Sequence, residues 1–289
     1  MHDRGDYALL AFAVVCASCS APLIAATAAP ALAIAFWRTA GAALVLGPVA
    51  LVRREVFTRR GLALALVAGF ALAAHFGTFI PSLSYTSVAS SAALVCTQAV
   101  WAGVFGRILG ERLPRRAWIG TAICLGGVLM VTGVDASLDA RALGGDLLAL
   151  AGGVFGGAYI VTGGFARREL STVAYTSLCY GVCGVILLVV CVVTGNALAG
   201  YSIGAWVRIA ALMLTGQLLA HSLMNFVLRS ISPTIVSLAT LFTVPGATLI
   251  AAATLGVTPP IETVPAMALL LAGTAIVISA RERAPAETP

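Results

Sequence analysis

The chain has 289 residues, of which 60% are hydrophobic and only 10% charged, with a mean hydropathy of +1.03. A soluble domain carries roughly 25% charged residues, so this composition excludes a water-soluble globular protein and makes lipid the main solvent. The net charge of +6 comes from 17 basic residues that are all arginine; they are scattered through short loops rather than gathered in a patch, which argues against nucleic acid and reads as a topology signal.

A helix needs about 20 apolar residues to span the hydrocarbon core. In chain order, the segments 7–27, 31–52, 61–82, 87–108, 116–134, 145–165, 172–194, 204–226, 233–255 and 262–280 meet that length. Turn signals separate them, among them Ala29-Pro30, Arg59-Arg60-Gly61, Gly144-Gly145, Gly195-Asn196 and Pro259-Pro260. The segments are continuously apolar rather than alternating, which argues against a β-barrel. The stretch "AATAAPALA" resembles a signal-peptide cleavage site, but cleavage there would remove the first helix and spoil the repeat described below, so the helix is expected to stay. With the N-terminus in the cytoplasm, every arginine except Arg38, Arg141 and Arg208 falls on the cytoplasmic side. That bias predicts ten crossings of the inner (cytoplasmic) membrane with both termini inside.

The chain also resembles itself. At an offset of 146 residues His75 pairs with His221, Ser84 with Ser230, Ser91 with Ser237, Leu109-Gly110 with Leu255-Gly256, Pro114 with Pro260 and Gly127 with Gly273. Nearer the start of each half the offset is 140, pairing Gly5-Asp6 with Gly145-Asp146. The histidine pair carries weight, because the chain has three histidines in all. Two halves of five helices each, residues 1–135 and 136–289, must enter the membrane from opposite faces. The expected fold is therefore an all-α membrane protein of two inverted five-helix repeats around a central cavity, an arrangement common among alternating-access carriers.

Other chemistries find little support. No phosphate-binding G-x-x-x-x-G-K-[ST] loop occurs, and there is no lysine to complete one. None of the predicted spans carries a mid-helix carboxylate, as a cation exporter would want, or a D-x-x-x-D cluster for a metal-dependent lipid or prenyl transferase. Asp135 and Asp139 come nearest, in a predicted loop. The seven cysteines lie in apolar stretches, and the single Cys16-x-x-Cys19 pair reads as buried reduced thiols. No metal, cofactor or enzymatic activity is expected.

Several longer motifs resemble a known group. "FWRTAGAALVL", "LSYTSVASSAALV", "LGERLPRRAWIGTAICLGGVLMV" and "GGDLLALAGGVFGGAYIV", with the second-half copies "SISPTIVSLATLFTVPGATLIAAATLG" and "LLLAGTAIVIS", are similar in order and spacing to the EamA-type transporters of the drug/metabolite transporter superfamily. The resemblance covers about residues 7–280. It implies a hydrophobic central cavity and transport of amino acids and related metabolites, possible substrates including aromatic ones, without nucleotide hydrolysis. Two departures stand out. Gly110-Glu111 closes the fourth segment as the family pattern requires, but the second copy reads Gly256-Val257. Pro245 interrupts the ninth segment while its repeat partner is Ala99, which predicts a straighter fourth helix.

Polar groups at membrane depth are the site candidates. Gln217, His221 and Asn225 are spaced to share one helix face, and His75 and Phe79 share another; the two faces are expected to line the cavity from opposite sides. An imidazole there could bind substrate or carry a proton. Arg38 offers a guanidinium fork for a carboxylate, although it lies about seven residues, or roughly 10 Å, from the predicted outer helix end and is within reach of snorkelling outward. Trp101, Gln98, Tyr159 and Tyr85 form a candidate aromatic and polar wall. Glu111 and Pro245 are gating or structural candidates, as are Gly153 and Gly157 in a small-xxx-small helix. The expected protein is a secondary transporter, an exporter by preference, acting on a small-molecule substrate as a monomer or weak homodimer with protons as a candidate coupling ion. A multidrug or cation exporter of the same fold is the first alternative, and a membrane-embedded lipid- or prenyl-modifying enzyme the second.

Overall fold

The computed structural model describes residues 4–86, 88–110, 114–134 and 140–256, together with seven residues between 264 and 276. Those residues are helical almost throughout. The first repeat comprises α1 (Arg4–Ser18), α2 (Ser20–Ala25), α3 (Ala31–Val52), α4 (Arg59–Ser82), α5 (Val88–Val95), α6 (Gln98–Ile108) and α7 (Arg115–Val134). The second comprises α8 (Ala140–Glu169), α9 (Thr172–Val193), α10 (Ile203–Leu212), a π-helical segment (Met213–His221), α11 (Ser222–Val227), α12 (Pro233–Ala239), a 3-10 turn (Thr240–Phe242) and α13 (Thr243–Leu255).

Seven stretches among the described residues are long and apolar enough to cross a membrane: Arg4–Ala25, Ala31–Val52, Arg59–Ser82, Arg141–Glu169, Thr172–Val193, Ile203–Val227 and Pro233–Leu255. They fall on the first three and the sixth to ninth predicted segments. The fourth predicted segment is the pair α5–α6, and the fifth is α7. The tenth lies largely outside the described residues, as do Glu111, Asp135 and Asp139. Serine and threonine caps start several helices: Thr58 accepts from Gly61 N at 2.9 Å and Ser171 from Ala174 N at 3.1 Å. At the other end of the equivalent helices α6 and α13, Gly110 (φ 95°) and its repeat partner Gly256 (φ 67°) both take the left-handed conformation that only glycine adopts freely.

Packing is by small residues. Ala13, Ala33, Ala35, Ala42, Ala65 and Ala68 are wholly buried, while Leu44, Leu51, Val52, Val193 and Ile203 are among the most exposed side chains. Large apolar groups outside and small ones inside is the polarity lipid selects, because close backbone approach rather than water exclusion holds such helices together. The two repeats interleave. Helix α4 packs chiefly on α8 and α9, and α3 on α9; α1 packs on the π segment and α13, and α5 and α6 on α8.

One expectation is corrected. The fourth segment is not straighter for lacking a proline, since α5 stops at Val95 and α6 starts at Gln98. Thr97 Oγ1 donates to the Leu94 carbonyl at 2.7 Å, and its repeat partner Thr243 Oγ1 donates to the Thr240 carbonyl at 2.6 Å. Both hydroxyls compete for carbonyls of the preceding turn, and both helices break at that point. Pro245 is accordingly not a mid-helix kink. It sits in the first turn of α13, where a missing N–H costs nothing.

Candidate functional site

The broken helices meet at a cavity of about 90 Å³ between the repeats, room for several water molecules. Its lining draws on α1–α2 (Ser20), α3 (Arg38), α4 (His75, Phe76, Phe79), the α5–α6 break (Val95, Cys96, Gln98), α8 (Tyr159, Ile160), the π segment and α11 (His221, Met224, Asn225), and α12–α13 (Thr240, Thr243). Gln98 Nε2 donates to Thr240 Oγ1 at 2.7 Å, so the two broken helices are joined directly across the cavity wall. Cys96 Sγ lies 3.6 Å from the Thr240 carbonyl and 3.9 Å from Thr243 Oγ1.

The two repeat-related histidines both reach this cavity and flank Phe76. The rings of His75 and Phe76 are 5.0 Å apart, and His221 meets Phe76 edge-on at 5.3 Å. Their environments differ. His75 Nδ1 donates to the Gly152 carbonyl of α8 at 2.8 Å and its ring stacks on Phe79 at 5.8 Å. His221 is the last residue of the π segment, and its buried Nδ1 has no hydrogen-bond partner. Asn225 Nδ2 donates to Tyr159 Oη at 2.7 Å and Tyr180 Oη at 3.4 Å, and Tyr180 Oη is 3.2 Å from Ser222 Oγ. Nearby, Arg167 ties α11 to the end of α8, donating from Nε to the Asn225 carbonyl at 3.0 Å and from Nη1 to the Leu170 carbonyl.

Arg38 does not snorkel. It is 1% exposed and points inward. Nε donates to Gln217 Oε1 at 3.1 Å, and the guanidinium carbon stands 4.3 Å from the Phe76 ring centroid, a cation–π distance. Gly216 makes the room: a β-carbon there would lie 3.0 Å from Arg38 Nη2 and 2.7 Å from Ser20 Oγ.

Of the residues picked out in the sequence, His75, Phe79, Gln98, Tyr159, His221, Asn225 and Arg38 line the cavity. Gln217 stands directly behind Arg38. Tyr85 and Trp101 do not join them. Tyr85 lies past the end of α4, is 48% exposed and takes Arg141 over its ring at 5.6 Å. Of the described residues of α6 only Gln98 lines the cavity; Trp101, three positions on, is partly exposed and packs on Phe105 at 6.0 Å. Gly153 and Gly157 are packing sites. A β-carbon at Gly157 would lie 2.7 Å from Trp101 Cβ and 2.9 Å from Ala102 N, and one at Gly153 would strike Thr97 Oγ1. Sequence reasoning missed Phe76, Met224, Thr240 and Thr243. Thr243 had a signal, being the repeat partner of Thr97; the apolar residues had none that separates a cavity wall from a core.

Two interleaved repeats with broken helices meeting at a cavity form an architecture of the kind found in membrane transporters. The sequence matches the EamA-like transporter family over residues 6–133 and again over residues 143–279, and the chain belongs to that family. No curated protein matches it. A solved crystal structure of a protein 18% identical aligns with a TM-score of 0.75 over 96% of this chain and 98% of that one, so the two share a fold.

Proposed function

We propose that the protein is a secondary carrier that moves small metabolites, amino acids and related compounds among them, out of the cell by alternating access. The observation that supports this reading is the cavity at the junction of the repeats, walled by two helices that break at equivalent threonines and touch through Gln98 and Thr240. Discontinuous helices at a repeat interface are the usual seat of substrate in such carriers, because freed backbone groups can bind there and the break can hinge. On this reading ten helices, five in each of residues 1–135 and 136–289, cross the cytoplasmic membrane in opposite senses with both termini inside. The carrier is a monomer or weak homodimer and no enzyme, with protons as the candidate coupling ion that a pH gradient tests.

Uptake into proteoliposomes of labelled aromatic and aliphatic amino acids, with and without a pH gradient, tests the reading. Saturable uptake that is faster than in protein-free vesicles supports it. Absence of flux for every compound, or equal flux of unrelated solutes without saturation, would reject a carrier in favour of an enzyme or a channel.

A further inference from the structure

Resting on that carrier reading, we infer that the cavity recognises a small organic monoanion by its carboxylate, and that Arg38 is the residue that binds it. Arg38 is a fixed cation inside the membrane, since guanidinium stays protonated in proteins. Its burial would ordinarily be matched by a carboxylate. Among the described residues no Asp or Glu lines the cavity. The groups around the guanidinium are neutral: Gln217 Oε1 takes Nε, and the Phe76 face takes part of the charge.

Three buried polar atoms in this corner have no hydrogen-bond partner: Arg38 Nη2, Gln217 Nε2 and His221 Nδ1. Two of them are N–H donors, and Arg38 and His221 belong to the cavity wall. Buried donors left unpaired are costly. A carboxylate has acceptor-only oxygens that suit a guanidinium fork. One positive charge balances one negative charge, and among the described lining residues no second arginine or lysine stands by to neutralise a phosphate dianion. The wall is otherwise mixed: Gln98, Asn225 and Thr240 are neutral polar groups, and Phe79, Val95, Ile160 and Met224 form an apolar part placed to take a hydrocarbon or aromatic body. An ammonium group finds no carboxylate among the described lining residues, so the cavity disfavours cations and ranks zwitterions below anions.

Three compounds of one skeleton separate these charges: 3-phenylpropanoate, phenylalanine and 2-phenylethylamine. Binding to the detergent-purified full chain, by scintillation proximity or tryptophan fluorescence, should rank them in that order. Arg38→Gln should weaken 3-phenylpropanoate by on the order of tenfold to a hundredfold, and Arg38→Lys should restore part of it. The wild-type ranking stands alone should Arg38→Gln fail to fold. A preference for the amine, no binding of any of the three, or anion binding unchanged in a folded Arg38→Gln protein overturns the inference. Transport is read separately in proteoliposomes. Arg38-dependent anion binding without flux leaves the anion site standing and removes the carrier reading, whereas saturable flux of the amine or amino acid, indifferent to Arg38, does the reverse.

Discussion

Two histidines that look equivalent by repeat have different work to do. His75 is tied to the Gly152 carbonyl and stacked on Phe79, so its ring helps hold α4 against α8. The Nδ1 of His221 holds nothing. His75→Ala should therefore lower thermal stability in detergent, by about 1 kcal/mol or more for the lost buried hydrogen bond. His221→Ala should change stability less and substrate affinity more. Melting and binding measured on the same preparations check this; a His221→Ala protein that loses as much stability as His75→Ala, with affinity intact, would contradict it. Asn225→Leu strands Tyr159 Oη, while Tyr180 Oη keeps Ser222 Oγ at 3.2 Å, and should cost about 1–3 kcal/mol, seen as a fall in melting temperature that Tyr159→Phe in the same background partly reverses.

At the scale of the element, α8 is the spine. Its 30 residues reach about 45 Å, longer than the roughly 30 Å hydrocarbon core, so it must tilt or project. Its glycines let α4, α5 and α6 come within backbone contact. Gly152 faces Phe79 and Thr78, Gly156 faces Gln98 and His75, and Gly157 faces Trp101 and Ala102. Gly157→Ala pushes a methyl into backbone atoms that cannot move aside, and should cost about 1–3 kcal/mol. Gly181→Ala in α9 meets nothing within 4 Å and should be neutral or slightly stabilising. Thermal unfolding of the two variants side by side distinguishes a packing requirement at Gly157 from a general intolerance of alanine in these helices.

For the whole molecule, the question is whether the broken helices move against each other. Cys96 Sγ lies 3.9 Å from Thr243 Oγ1, so Thr243→Cys brings a second thiol beside it across the repeat interface. Oxidation with copper-phenanthroline should join the α5–α6 break to α13. If alternation separates these elements, the cross-linked carrier stops transporting and dithiothreitol restores it, with Cys96→Ser as the control. Full transport by quantitatively cross-linked protein would show that this contact stays closed through the cycle.

Much of this was legible in one dimension. Hydropathy placed the helices because a backbone in lipid must satisfy its own hydrogen bonds, which leaves long apolar runs little choice of structure. The offset of 146 residues found the repeat, with Gly110 and Gly256 and the two histidines at matching places. It also carried the threonine breaks, although the missing proline at Ala99 pointed the other way; a hydroxyl bonding back to its own helix leaves no mark that differs from any other threonine. The π segment was equally hidden, and it is what presents Gln217 and His221. Arg38 shows the limit most clearly. Its distance from the helix end allowed it to reach water, and nothing in the neighbouring residues forbade that. Only tertiary structure brought Gln217, 179 positions away, and the Phe76 ring to the guanidinium, and opened space for it at Gly216. By itself the sequence determined a multi-pass helical membrane protein with an internal repeat, because lipid solvation acts on composition and spacing. Which way Arg38 points is settled by contacts between distant helices, and those exist only once the repeats have interleaved.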